Sequence, residues 1–141
     1  MTILAAACRL VDEIVDSGSF ARTEVSACDF GIMGLAPTCA ITIRPSNSSF
    51  SRVGYGGVGE QRWGFSVRGW VKDAGDVKKL LTDVYHMHDA MYSSINGGSI
   101  ANTDIYTTWV ETIGHNQDNI WNFGGPDYQL VEAHVVVRED P

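Results

Sequence analysis

Near the start of the chain, Ile3, Leu4, Ala7, Leu10, Val11, Ile14 and Val15 recur at steps of three and four, with Arg9, Asp12, Glu13 and Asp16 largely between them. That period predicts an amphipathic helix with its aliphatic stripe on a core and its charges in water. Thr2 is placed to cap its start and Ser17-Gly18 to stop it. A second run of the same period, Val77, Leu80, Leu81, Val84, Met87, His88 and Met91, follows Asp76 and ends before Gly97-Gly98, predicting a second helix.

Elsewhere the period changes to two, the repeat of a strand with one buried face. Cys39, Ile41 and Ile43 alternate with Ala40, Thr42 and Arg44, ending at Pro45. Trp63, Phe65, Val67 and Val71 alternate with Arg62, Ser66, Arg68, Trp70 and Lys72. Residues 104–115 and 128–140 supply two more strands, the last setting Val131, Ala133, Val135 and Val137 against Glu132, His134 and Arg138. Residues 19–37 read as a long connection with one short extended piece, and residues 46–61 and 116–127, rich in Ser, Asn and Gly, read as loops.

The order is helix, two strands, helix, two strands. It predicts an α+β fold, a mainly antiparallel sheet of about four strands with two helices packed on one face. With 141 residues, the whole chain, residues 1–141, is expected to form a single domain.

Ten basic against seventeen acidic residues give a formal charge of −7. That balance disfavours a surface built to grip phosphate backbones. Cys8, Cys28 and Cys39 are odd in number and lack a C-x-x-C spacing, so neither a disulfide framework nor a zinc site is expected, and assembly in a reducing, intracellular compartment is. No run approaches the roughly 20 apolar residues of a membrane span, and a soluble protein without a membrane partner is expected.

The stretch from Gly54 to Gly59, GYGGVG, has the spacing of a dinucleotide-binding loop. Such a loop works where a strand turns into a helix, whose N-terminal N–H groups meet the phosphates. Here an alternating strand follows Gly59, so a flexible connection is expected in place of a nucleotide site. His86 and His88, two apart on a helix, point away from each other and cannot share an ion. His115 and Asp118, in the Asn-rich loop, resemble a base and its orienter, yet no nucleophile motif accompanies them. The expectation is a chain that is not an enzyme and holds no cofactor or metal.

Trp63, Phe65 and Trp109 fall in strands and are expected in the core. Trp70, Trp121 and Phe123 fall on a polar strand side or in a loop, where Trp and Phe anchor protein interfaces. With Phe50, Arg52, Tyr55, Arg62 and Arg68 they form the candidate interface set.

The element order, with RWGFSVRGWVKD, DVKKLLTDVYHMHDAM, TTWVET and YQLVEAHVVVRED in succession, resembles that of the tail terminator proteins of long-tailed bacteriophages, also called tail completion or minor tail proteins. The resemblance spans nearly the whole chain, apart from residues 19–37 and 114–127. It implies a virion protein of the tail or neck, assembled in the host cytoplasm. Its subunits would form a ring, commonly a hexamer, that sits on the head-proximal end of the tail tube, ends tube polymerisation and offers the surface that joins tail to head. The implied partners are further copies of the chain, the tail tube protein and the completion or stopper protein of the head connector, with DNA only passing through the channel. An acidic lumen would repel that DNA. The alternatives are a head completion or stopper protein and, from another class, a small ligand-binding or hydrolytic α+β domain using the loop around His115.

Overall fold

A computed structural model describes residues 2–18, 20, 25–26, 39–50, 59, 61–73, 75–96, 106–122 and 127–139. Helix α1 (Ile3–Asp16) is followed by β1 (Val25–Ser26), β2 (Cys39–Pro45), β3 (Ser49–Phe50), β4 (Gln61–Lys72), α2 (Val77–Asn96), β5 (Tyr106–Asn122) and β6 (Asp127–Glu139). The six strands form one sheet in the order β1-β2-β4-β6-β5, with β3 paired to β4 past the end of the β2 ladder. The β1–β2 pair is parallel and the other pairs are antiparallel. The fold is α+β, as the order of periods predicts.

β4 and β6 pair without interruption from Gln61 opposite Glu139 to Lys72 opposite Tyr128. One face of this ladder is continuous aliphatic and aromatic surface: Phe65, Val67 and Val71 from β4, Val131, Ala133, Val135 and Val137 from β6, Ile41 and Ile43 from β2. Both helices bury their apolar sides in the same cluster, which makes it the main core.

α1 is capped as expected, with Thr2 Oγ1 accepting from the Ala5 N–H at 3.2 Å, and it ends where Gly18 takes a φ of +80°. Its buried stripe differs from the sequence expectation. Ala6, Leu10, Glu13 and Ile14 are buried, Ala7, Val11 and Val15 only partly so, and Leu4 lies in solvent. A helix turns about 100° per residue, so centring the contact on the small Ala6 in place of Ala7 rotates Glu13 into the core.

On α2 the buried positions are Leu80, Val84, Met87, Met91, Ser94 and Ile95. Val77 and His88, expected in the apolar stripe, are exposed. Asp76 caps the helix, its Oδ1 accepting from the Lys78 and Lys79 N–H groups at 3.1 and 3.3 Å. Gly69 allows the helix to sit close on β4: a Cβ there would stand 2.6 Å from Met87 Cγ and Sδ.

Two expected loops carry strand. In residues 46–61, Ser49 and Phe50 pair with Arg62 and Gln61. Residues 116–122, expected in a loop, belong to β5, and Ile120, Trp121 and Asn122 pair with Gln129, Tyr128 and Asp127. A register shift between His115 and Ile120 takes up the polar residues. The ladder beyond them outweighs the low strand propensity of Asn and Asp.

Candidate interaction face of the sheet

The helices cover one face of the sheet. Alternation along β2, β4 and β6 sends Ala40, Thr42 and Arg44, then Arg62, Gly64, Ser66, Arg68, Trp70 and Lys72, then Tyr128, Leu130, Glu132, His134, Val136 and Arg138 to the other.

One end of this second face is a small core of its own, built from Ala40, Trp70, Tyr128 and Leu130 with Trp121 packed against it. Trp70 is fully buried, and its indole N–H donates to Thr42 Oγ1 at 2.8 Å. Its role therefore differs from the expected one: it is a foundation under the face and presents no contact surface. The end of the β5–β6 hairpin covers it, because Trp121 meets it edge-on with ring centroids 5.5 Å apart.

Arg68 lies beside this cluster with its guanidinium carbon 5.7 Å from the Trp121 ring centroid. Its Nε donates to Glu132 Oε2 at 3.2 Å, and His134 Nε2 is 3.7 Å from the other carboxylate oxygen. Farther along, Arg62 stacks over Trp109 at 5.6 Å. Each arginine reaches from β4 across β6 to a tryptophan on the edge strand β5. Such Arg–Trp stacks combine apolar area with charge, the composition that interface hot spots favour. Trp109, expected in the core, is half-buried here.

Of the remaining candidate interface residues, Phe50 is 63% exposed and packs edge-on against the half-buried Trp63 at 5.2 Å. Arg52, Tyr55 and Phe123 lie outside the described residues, as do residues 54–58 of the glycine-rich stretch. The segment that follows Gly59 is the strand β4, so these glycines lead into no helix N-terminus.

A shallow cleft of about 370 Å³ opens on the second face between Thr112, Gly114, Leu130, Glu132 and His134. Ser66 stands directly opposite His134 in the ladder, which brings serine, histidine and glutamate side by side in a way the linear spacing did not reveal. The geometry is not that of a nucleophile and its base: Ser66 Oγ is buried without a hydrogen-bond partner, and Glu132 is engaged by Arg68. His115 Nε2 is hydrogen-bonded to Gln129 Oε1 at 2.7 Å, and the Asp118 side chain lies outside the described residues. On α2, His86 and His88 are both exposed. Among the described residues no group of three or more His, Cys, Asp or Glu could hold a metal ion.

The other unusual ionisable group lies on the helix side. Burial pushes the Glu13 carboxyl up to about 8, opposed by the Arg9 guanidinium one turn back and by the Thr108 hydroxyl. Neither Glu13 oxygen nor the Thr108 hydroxyl reaches full hydrogen-bond geometry, so the opposition is weak and desolvation dominates. The acid is 1% exposed, and its place beneath α1 makes it a determinant of helix docking.

Among known proteins, no family model matches the chain and no curated protein matches it.

Proposed function

We propose that the chain is a ring-forming structural subunit of a phage tail, a tail terminator that caps the head-proximal end of the tube. The observation that carries this reading is the division of the sheet into two unlike faces. Helices cover one, and the other bears two Arg–Trp stacks, one of them beside a small private core. A face of that composition suits contact with protein surfaces. The element order resembles that of tail terminators, which work by assembly and contact.

In this reading the ladder of β4 and β6 gives a rigid platform, and the ring offers the tube a complementary surface on one side and none that recruits another tube subunit on the other. Electron microscopy of particles lacking the protein tests it. Tails of uncontrolled length are expected. Tails of normal length that fail to join heads would overturn capping and favour a stopper role, and normal joined particles would overturn both.

A further inference from the structure

Charge is unevenly distributed over this acidic chain. On the second face of the sheet, the paired positions of β2, β4 and β6 carry Arg44, Arg62, Arg68, Lys72 and Arg138, with Glu132 as the single acidic residue among them. Five of the ten basic residues of the chain thus share one face. The helix layer on the opposite side exposes Asp12, Asp16, Asp76 and Asp89, against Lys78 and Lys79.

We propose that the basic sheet face of one copy docks on the acidic helix layer of the next, an inference that rests on the ring-forming reading above and names the contact. The sign of the charge decides the symmetry. Two such faces meeting each other would bring like charge against like charge, so an isologous pair through this face is disfavoured. Contact between opposite sides of the subunit is heterologous, and a heterologous contact closes into a ring when its rotation allows. The Arg–Trp stacks lie on the docking side, where they add desolvated aromatic area to the charge complementarity.

The test is a charge swap read by sedimentation velocity. Arg44 and Arg62 are exposed on the sheet face, and Asp16 and Asp89 are exposed on the helices. The variant Arg44→Glu/Arg62→Glu removes the net positive charge of the sheet face, leaving Arg68, Lys72 and Arg138 against three carboxylates, and Asp16→Lys/Asp89→Lys presents base on both sides. Circular dichroism and thermal melting establish that each folds. Each alone is expected to associate about tenfold or more weakly than the wild type, and mixing them is expected to recover part of that loss, because the carboxylates introduced in one variant meet the lysines introduced in the other. Wild-type assembly is expected to weaken as salt rises, because screening shortens the reach of the charges.

Rings formed normally by both variants would overturn the proposed contact and leave the ring reading intact. A wild type that stays monomeric at every salt and protein concentration would overturn both. Wild-type binding to a short DNA duplex, lost in Arg44→Glu/Arg62→Glu, would assign the face to a polyanion instead.

Discussion

Trp121 sits edge-on against Trp70, with ring planes at 80° and centroids 5.5 Å apart, and this contact fastens the end of the β5–β6 hairpin to the middle of the sheet. Below it, the Trp70 N–H reaches Thr42. Without Trp121, the fully buried Trp70 would meet water. Trp121→Ala is therefore expected to cost about 2–3 kcal/mol, below the range for a fully buried Trp because Trp121 is only half-buried. Urea denaturation measures the loss, and the emission of Trp70 should shift to the red. Thr42→Val, which leaves the buried indole N–H without its acceptor, is expected to cost about 1–3 kcal/mol.

Glu13 makes stability depend on pH in the direction opposite to that of a paired surface carboxylate. Its folded value, raised by burial to about 8, lies above the ordinary 4.5. Between these values the native state holds a proton that the unfolded chain has released, so stability falls as pH rises through this window and levels off above about 8. The slope from this one group is at most about 1.4 kcal/mol per pH unit. Glu13→Gln keeps the shape and removes the titration. The variant should gain on the wild type as pH rises from 5 to 9, in denaturation curves run at matched salt. Parallel curves at all pH values would show that the carboxyl is solvated.

Glu13 also marks where sequence legibility stops. The period of α1 was readable, but its phase was not, because Ile3, Leu4, Ala7, Val11 and Val15 form an apolar stripe as plausible as the one that is buried. Only packing against the sheet selects between them. The strands fared better where β-branched residues alternate, as in Ile41 and Ile43 or Val131 to Val137. Residues 116–122 were opaque because the pairing of Ile120 to Asn122 with β6 is supported by Trp121 docking at Trp70, a contact 51 positions away in sequence. Alternation correctly put Arg62, Arg68 and Trp70 on one face. It could not show that Trp70 is covered, since the cover comes from that same hairpin.

Gly69 sets how closely α2 approaches β4. A side chain at this position would enter the space of Met87 and Met91: its Cβ would stand 2.6 Å from Met87 Cγ and Sδ and 3.0 Å from Met91 Sδ. Methionine is flexible enough to yield to one methyl group, so Gly69→Ala is expected to be mild. Gly69→Val adds bulk the thioethers cannot clear and should cost about 1–3 kcal/mol. At Gly64 the neighbour is the Asn47 backbone carbonyl, which cannot move aside as a side chain does. Gly64→Ala should therefore destabilise more than Gly69→Ala, a ranking that thermal melting of the two variants checks directly.

Asp76 holds the start of α2 through two backbone N–H groups, Lys78 at 3.1 Å and Lys79 at 3.3 Å. The turn before it is fixed by Gly75, whose φ of +88° suits glycine and whose N–H donates to Asp73 Oδ1 at 2.8 Å. Replacing Asp76 with Ala leaves both helix donors to water and removes a negative charge from the positive end of the helix dipole. The expected loss is about 1 kcal/mol, within the measured range for such caps. Asp76→Asn keeps the acceptor and loses the charge, so it should recover most of that loss. If Asn and Ala were equally destabilising, the charge would carry the cap and the two hydrogen bonds would contribute little.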